Sequence, residues 1–332
     1  MADEVRGTAT TVPVVADGAR SGGSRVTPAR ARMLRGIQAL RVVVFVILAV
    51  VAFAPPLWQL QGYQVYNTAL KADYLRAQAL RDGQDIFGSI DALADRYFPV
   101  RGNPFEDPSP HPPVLALLFV PATYLPFPLL CALWLALNVA LLLLVGRWLG
   151  FSPLATLALG AWPPLFLALK SFQWEVILLA LVMACWRDAE RGRDSRAGLW
   201  LGVAGVIKFY PFLLVLPFLM QRRFRTVGAA MFVLAVGQVG SMVAVGPGGL
   251  WRYYTVVLPH LGVQEYAGSL IDTSVHGALL RLLPDSVGVA LVLTGCVSLI
   301  AIAALARVRL DAGPVAVMLI LPTYVLSKYL TL

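Results

Sequence analysis

Apolar runs of about 20 residues recur along this chain and decide what it can fold into. One run covers about 40–60 and another about 127–147, and neither alternates as a barrel strand must. About 20 apolar residues in a helix cross the ~30 Å of hydrocarbon in a bilayer. Only 14% of the residues are charged, where a soluble domain carries about 25%. The sequence therefore predicts an all-α polytopic membrane protein.

The remaining apolar segments predict a bundle of about 8–10 transmembrane or half-membrane helices. The stretch from Pro112 to Pro126 is too short to cross and favours a half-helix or a re-entrant segment. Further spans are predicted at about 152–170, 226–245, 287–306 and 313–332, and a short segment at about 174–186. The last run ends at Leu332 without a polar tail, so one interpretation of this ending is a C-terminal truncation.

The net charge of +9 is distributed as a topology signal. Basic residues cluster in short connectors beside apolar runs, as the positive-inside bias requires of cytoplasmic segments. The clusters are Arg187/Arg191/Arg193/Arg196, Arg222/Arg223/Arg225 and Arg307/Arg309. Residues 1–38 are arginine-rich without an apolar face, which predicts a disordered cytoplasmic tail before a membrane domain at 39–332. We expect a lipid bilayer, and no nucleic acid, as a partner.

With the arginine clusters inside, two polar segments become outside loops, at 61–112 and 246–285. The first is mildly acidic and too long for a simple turn. Its stretches Ala69–Leu80 and Ser89–Tyr97 predict short helices that lie on the membrane surface. We expect a multi-pass protein of the cell membrane whose polar residues converge on the outer face.

Lys208 lies in the middle of a stretch of about 25 apolar residues, followed by Phe209, Tyr210 and Pro211. Proline breaks a helix, and non-helical backbone at membrane depth is tolerated only where it is buried or lines a cavity. The pattern predicts two half-length helices that meet at Lys208, whose ammonium can hold an anionic phosphate as a point charge. A lysine that snorkels to the interface is the alternative.

Several other polar residues on the predicted outer face are candidates for chemistry. Asp73 follows the first span, where a carboxylate can act as a general base towards a hydroxyl, although a solvated helix face is the ordinary interpretation. Asp85 is its competitor and is more typical of a turn or a cap. His111, in a proline-rich segment, is as consistent with phosphate or sugar binding as with an interface anchor.

Gln173 and Glu175 flank Trp174 where two spans meet. A tryptophan at the interface is ordinary, whereas a glutamate at the head of a span is a candidate functional group. Asp272 and His276 in the last outside loop are weaker signals. The sequence has no Walker loop, zinc-ligand spacing, GxSxG or dinucleotide fingerprint, so soluble nucleotide chemistry is not supported. We assign no metal ligand and expect no cofactor.

Four stretches resemble the polyprenol-phosphate-dependent glycosyltransferases of the GT-C class, specifically glycosyltransferase family 87. The most specific is LGVAGVIKFYPFLLVLP, within Ser171 to Pro217. The others are DYLRAQALRDGQDIF from Asp73, PSPHPPVLALLFVPATYLP from Pro108 and DTSVHGALLRLL from Asp272. Together they spread the resemblance over roughly residues 40–332.

The resemblance implies an inverting hexosyltransferase of GT-C-like fold. It would move a sugar, often mannose, from a polyprenyl-phosphate donor to a lipid or glycan acceptor on the outer face. Asp73 would be the catalytic base, and Lys208 would contact the donor phosphate. The expected substrate-binding set is Lys208, Tyr210, His111, Gln173, Glu175, Asp272 and His276.

Two other function classes stay open. A transporter or lipid flippase also uses broken helices near the membrane midplane, but it calls for polar residues at both faces and often for an internal repeat. Here the two halves show no repeat, and the intramembrane polar residues lie on one side. A non-catalytic assembly partner is the second alternative, which a dispensable Asp73 would favour.

Overall fold

The structure is a computed structural model that describes residues 28–99, 111–258 and most of 275–300, and every regular element within these ranges is helical. The helices are α1 (Pro28–Gln59), α2 (Leu70–Arg81), α3 (Ile90–Tyr97), α4 (Pro113–Phe119), α5 (Phe127–Trp148), α6 (Pro153–Leu159), α7 (Pro163–Lys170), α8 (Glu175–Glu190), α9 (Asp194–Ile207), α10 (Val215–Met220), α11 (Phe224–Arg252) and α12 (Val275–Leu282). Short 3-10 segments lie at Gly62–Asn67, Val120–Tyr124 and Tyr210–Leu214. The predicted span at 313–332 lies outside the described residues.

Three described helical segments are long and apolar enough to cross a membrane: Gly36–Gln59, Phe127–Trp148 and Phe224–Val257. Their outward side chains are apolar too, since Phe232 is 66% and Val243 73% exposed. Exposed apolar surface of this kind suits lipid rather than water as the solvent. The all-α membrane class is thus confirmed.

The chain divides into two units, residues 1–43 and residues 44–332. In the first unit the described residues form the beginning of α1, which starts at Pro28. Residues 28–38 are therefore helical, and the predicted disordered tail is wrong for this segment. Proline suits the first turn of a helix, and the following Ala, Arg, Met and Leu residues favour helix.

The first predicted outside loop contains the two helices expected there, α2 and α3. Ser89 caps α3, because its hydroxyl accepts the backbone N–H of Asp91 at 3.2 Å. The prediction that α2 lies on a surface is wrong, since every residue from Leu70 to Ala77 is buried within the protein. It packs against α3, α4 and the 3-10 turn at Val120–Tyr124.

The predicted break at Lys208 is confirmed. Helix α9 ends at Ile207, and Lys208 is extended with φ −139° and ψ 140°. A 3-10 turn and α10 follow, so two short helices replace one continuous span. The segment predicted as one span at 152–170 forms two short helices instead, α6 and α7.

The predicted loop at 246–285 is wrong for its first part, because the helix after the predicted span continues beyond residue 245. Gly246 adopts φ 71° and ψ 171°, a conformation open to glycine, and kinks α11 there. Pro247 then fits the first turn of the restarted helix, which runs to Arg252 and into a π-helical turn at Tyr253–Val257. Residues 259–274 lie outside the described ranges.

Two glycines four residues apart let α9 lie close against α11. A Cβ atom at Gly198 would lie 2.2 Å from the backbone oxygen of Thr226, and one at Gly202 would lie 2.6 Å from Cβ of Val233. Small residues at this spacing allow helix backbones to approach in a membrane. This contact fixes α9, and with it the position of Lys208 at its end.

We expect Gly198→Ala to destabilise the protein, because the added methyl group meets backbone that cannot move aside. Overpacking of this kind costs about 1–3 kcal/mol. The matched control is Gly228→Ala on α11, where a Cβ atom would meet nothing within 4 Å. Thermal midpoints in detergent should fall for Gly198→Ala only. Equal midpoints for the two variants would contradict the close packing.

Candidate active site

Asp73 lies in the first turn of α2 and is only 2% exposed. Its Oδ1 lies 2.7 Å from Nδ1 of His111, and its Oδ2 accepts the indole N–H of Trp174 at 2.8 Å. Both carboxylate oxygens are thus fixed by side chains from two other segments. A buried carboxylate tied in this way has one orientation and is protected from solvent.

His111 stands directly before α4, and the two prolines after it fix the backbone where the helix begins. Its Nδ1 faces Asp73, and its backbone carbonyl accepts a hydrogen bond from Nη1 of Arg76 at 2.8 Å. The segment that leads into α4 therefore places His111 in contact with α2 twice, through its ring and through its backbone carbonyl. These contacts make His111 part of the buried polar cluster around Asp73.

A tight turn at Ser171–Trp174 carries the third partner of Asp73. The backbone N–H of Ala69 donates to the carbonyl of Ser171 at 2.9 Å, which ties α2 to this turn. Phe172 is buried and adopts φ 58°, a left-handed conformation that non-glycine residues seldom hold without support. The ring of Trp174 then packs edge-on against Trp134 at 4.7 Å between centroids.

Glu175 and Lys208 form a second buried pair beside this turn. Their side chains are 5% and 4% exposed, and Nζ of Lys208 donates to Oε1 of Glu175 at 2.6 Å. The pair follows from the α8–α9 hairpin, because α8 has 16 residues and α9 has 14, so the end of α9 returns to the start of α8. The amide nitrogen of Gln173, oriented by its hydrogen bonds, lies 3.0 Å from Oε2 of Glu175.

The structure therefore brings five of the predicted site residues to one end of the α8–α9 hairpin: Asp73, His111, Gln173, Glu175 and Lys208. Tyr210 begins the 3-10 turn that follows Lys208, and its side chain lies outside the described residues. Asp272 lies outside them entirely, and of His276 only the backbone, in α12, is described.

The environment of Asp73 keeps it ionised. Burial by itself raises the pKa of its carboxyl, but the neighbouring His111 ring lowers it through its charge and its hydrogen bond. The indole of Trp174 and the charge of Arg76 lower it further, so the pKa lies below the ordinary value of 3.8. At neutral pH the group is a carboxylate that can accept a proton.

Two residues of this site were missed in the sequence. Trp174 was interpreted as an ordinary interfacial tryptophan, whereas its indole holds Asp73. Arg76 is not among the residues singled out in the sequence, yet it is 1% exposed and lies one helical turn from Asp73. The i, i+3 spacing of Asp73 and Arg76 was the signal that could have linked them.

Asp85, the competing carboxylate, is a turn residue as predicted. Its Oδ1 accepts the backbone N–H of Phe87 at 2.9 Å, two residues further on. Its Oδ2 accepts from Arg252 at 2.9 Å, and both side chains are 51% exposed. Asp85 is therefore set apart from the buried site around Asp73.

Comparison with known proteins places this chain in a family. The model of glycosyltransferase family 87 matches residues 110–327, which is more than half of the chain. No solved structure matches the chain.

Two relatives carry named activities. One, from Mycolicibacterium smegmatis, is a polyprenol-phosphate-mannose-dependent alpha-(1-2)-phosphatidylinositol pentamannoside mannosyltransferase, 29% identical over 229 residues that cover 65% of this chain and 54% of the relative. Another, from Mycobacterium tuberculosis, is a polyprenol-phosphate-mannose-dependent alpha-(1-2)-phosphatidylinositol mannoside mannosyltransferase, 27% identical over 267 residues that cover 71% of this chain and 58% of the relative. This chain thus spans little more than half the length of either. On the family match, the chain belongs to glycosyltransferase family 87.

Proposed function

We propose that this chain is an inverting membrane glycosyltransferase of the GT-C type. It transfers mannose from a polyprenyl-phosphate donor to a lipid or glycan acceptor on the outer face of the membrane. Family membership supports glycosyl transfer, and the names of the two relatives support the donor. The observation that carries the proposal is the buried, ionised Asp73, held by His111 and Trp174.

In the proposed reaction, a hydroxyl oxygen of the acceptor attacks the anomeric carbon of the donor sugar. The new carbon–oxygen bond forms while the bond to the phosphate oxygen breaks, and the polyprenyl phosphate leaves with the electron pair. Asp73 accepts the proton of the attacking hydroxyl. A carboxylate has about four lone-pair sites, so the contacts with His111 and Trp174 leave capacity for this proton.

The remaining site residues bind substrate in this proposal. Lys208 contacts the donor phosphate, and Glu175, whose carboxylate also accepts from the Gln173 amide, holds its ammonium in place. Because Glu175 balances its charge, Lys208 contributes hydrogen-bond donors more than net positive charge. Tyr210, Asp272 and His276 keep their predicted role as further substrate contacts.

The α8–α9 hairpin supports the outer location of the site. Helix α8 rises about 24 Å over its 16 residues, which separates Glu175 from the connector beyond Glu190. Arg193 in that connector and Arg196 in the first turn of α9 both pair with Asp188. The positive-inside bias assigns such a basic connector to the cytoplasm, and the opposite end of α8 is then on the outer side.

The proposal is tested by mannose transfer in membranes that contain this chain. Polyprenyl-phosphate-[14C]mannose is supplied with phosphatidylinositol mannosides and, separately, with glycan acceptors, and membranes without the chain serve as the control. Label should move into an acid-stable glycosidic product only when the chain is present. Label that crosses the bilayer but stays on the polyprenyl phosphate would instead show a flippase.

The lowered pKa of Asp73 predicts an acid limb of kcat/KM below the ordinary carboxyl value of 3.8. Activity falls only when pH drops through the pKa of the folded protein, because protonated Asp73 cannot accept a proton. His111→Asn removes the largest lowering influence, so the pKa rises and the limb should move to higher pH. Thermal midpoints measured at each pH exclude unfolding as the cause. A limb that stays in place would contradict this coupling.

A further inference from the structure

Arg76 is a buried cation whose hydrogen bonds are incomplete. Its side chain lies inside the protein, 1% exposed, and Nη1 donates to the His111 carbonyl at 2.8 Å. Within the described residues, Nε and Nη2 of Arg76 are buried without a hydrogen-bond partner. Burying a guanidinium is costly unless it is paired and hydrogen-bonded, so these two donors call for an acceptor.

The two unsatisfied atoms belong to the same edge of the guanidinium. Nε and Nη2 point their N–H groups in parallel, and this fork fits two oxygens of one phosphate or carboxylate group. The bond from Nη1 to His111 fixes the plane of the fork without using that edge. Arg76 is thus preorganised for bidentate anion binding.

The other buried cation of the site differs in this respect. Lys208 is hydrogen-bonded to the carboxylate of Glu175 at 2.6 Å, which balances its charge. Asp73 acts on Arg76 through its charge, and no hydrogen bond joins the two among the described side chains. An anion that enters the site therefore gains more from Arg76 than from Lys208.

The position of Arg76 also fits the reaction. Residues three apart on a helix have Cβ atoms about 5–6 Å from each other, so Asp73 and Arg76 lie side by side on one face of α2. In an inverting displacement the base and the leaving phosphate stand on opposite sides of the anomeric carbon. A base and an anion-binding fork at this spacing can flank one sugar carbon.

We propose that Arg76 is the principal anion-binding residue of this site, beside Lys208, and that its Nε–Nη2 edge holds two oxygens of the phosphate of a lipid-linked substrate. The inference rests on the proposed function and names the side chain that takes the phosphate. Phosphate on a lipid could come from the polyprenyl donor or from a phosphoinositide acceptor. The placement beside Asp73 favours the donor, because the sugar carbon that reacts at Asp73 is bonded to the donor phosphate.

The test is direct binding to the purified full chain in phosphatidylcholine nanodiscs. The ligands are polyprenyl phosphate, polyprenol without phosphate, phosphatidylinositol and inorganic phosphate. The variants are Arg76→Lys, which keeps the charge and loses the fork, and Arg76→Met, which removes the charge. Arg81→Lys is the matched control, because Arg81 lies on the same helix and pairs with the exposed Asp82. Asp73→Asn is included to separate binding from transfer.

The wild type and Arg81→Lys should bind polyprenyl phosphate with similar Kd values, and Arg76→Lys at least tenfold more weakly. Asp73→Asn should bind it no more weakly than the wild type, because a negative charge that acts on Arg76 has been removed. Polyprenol should bind all four proteins alike. Without ligand, Arg76→Met should unfold at or above the wild-type midpoint, since a buried cation with two unsatisfied N–H donors has been removed. A purely structural arginine would instead lower that midpoint.

Equal Kd values for the wild type and Arg76→Lys, or no phosphate-bearing ligand bound by the wild type, would overturn the inference. Arg76-dependent binding of phosphatidylinositol or of inorganic phosphate, but not of polyprenyl phosphate, would support the anion site and assign it to a source other than the donor. Arg76-dependent binding in a protein that transfers no sugar would leave the site standing and remove the proposed function.

Discussion

Asp73→Asn is expected to reduce sugar transfer by about 10²–10⁴-fold, the usual contribution of a positioned general base. Asparagine has the same shape and can still accept the indole N–H of Trp174, so the site should keep its form. It cannot accept a proton from the acceptor hydroxyl. The kcat should fall while the Kd for the donor stays near the wild-type value, and single-turnover transfer beside a donor-binding assay measures both.

The matched control is Asp85→Asn, which changes an exposed turn carboxylate in the same loop. It should leave kcat within about twofold of the wild type, because Asp85 does not contact the buried site. His111→Asn keeps an N–H donor near Asp73 and should reduce kcat less than Asp73→Asn does. If the larger loss came from His111→Asn, the base would be the histidine, with Asp73 orienting it.

Glu175→Leu is expected to destabilise the protein by about 3–5 kcal/mol, because it leaves the buried Lys208 ammonium without its carboxylate. Lys208→Met should cost a similar amount for the converse reason. The double variant Glu175→Leu/Lys208→Met should recover much of the loss, since apolar replacement of a whole buried pair is often neutral. Unfolding midpoints of the four proteins form the double-mutant cycle that measures this coupling.

The exposed pair Asp85–Arg252 provides the comparison for this cycle. Both side chains are about half exposed, and pairs of this kind contribute roughly 0–1 kcal/mol. Arg252→Met should therefore change the midpoint little. Additive losses in the Glu175/Lys208 double variant would show that the two side chains do not stabilise each other.

Local sequence signals predicted the parts of the fold that depend on short segments. Uninterrupted apolar runs predicted the long helices, and Pro211 after Lys208 predicted the break between α9 and the turn that follows. The Asp73 and Ser89 stretches predicted α2 and α3 nearly to the residue. Each of these features is decided by neighbours in the chain, which a single sequence displays.

Contacts between distant segments could not be predicted in the same way. Trp174 and Asp73 are 101 positions apart in the chain, and neither local sequence indicates that the two side chains are in contact. The burial of α2 depends on α4 and the turn after it, so its charged residues resembled a solvated face. The Glu175–Lys208 pair could have been predicted from the sequence. Two helices of nearly equal length joined by a short turn bring the end of the second helix back beside the start of the first.

The deciding measurement is a donor comparison with the purified protein in sealed vesicles. Wild-type protein and Asp73→Asn each receive [14C]mannose on polyprenyl phosphate or on a nucleotide diphosphate, with the same phosphoinositide and glycan acceptors. If Asp73 is the base and the donor is a polyprenyl phosphate, the wild type should move label from the polyprenyl donor into the acceptor. Asp73→Asn should move none, and neither protein should use the nucleotide donor. Transfer from the nucleotide donor, or equal transfer by Asp73→Asn, would contradict this assignment.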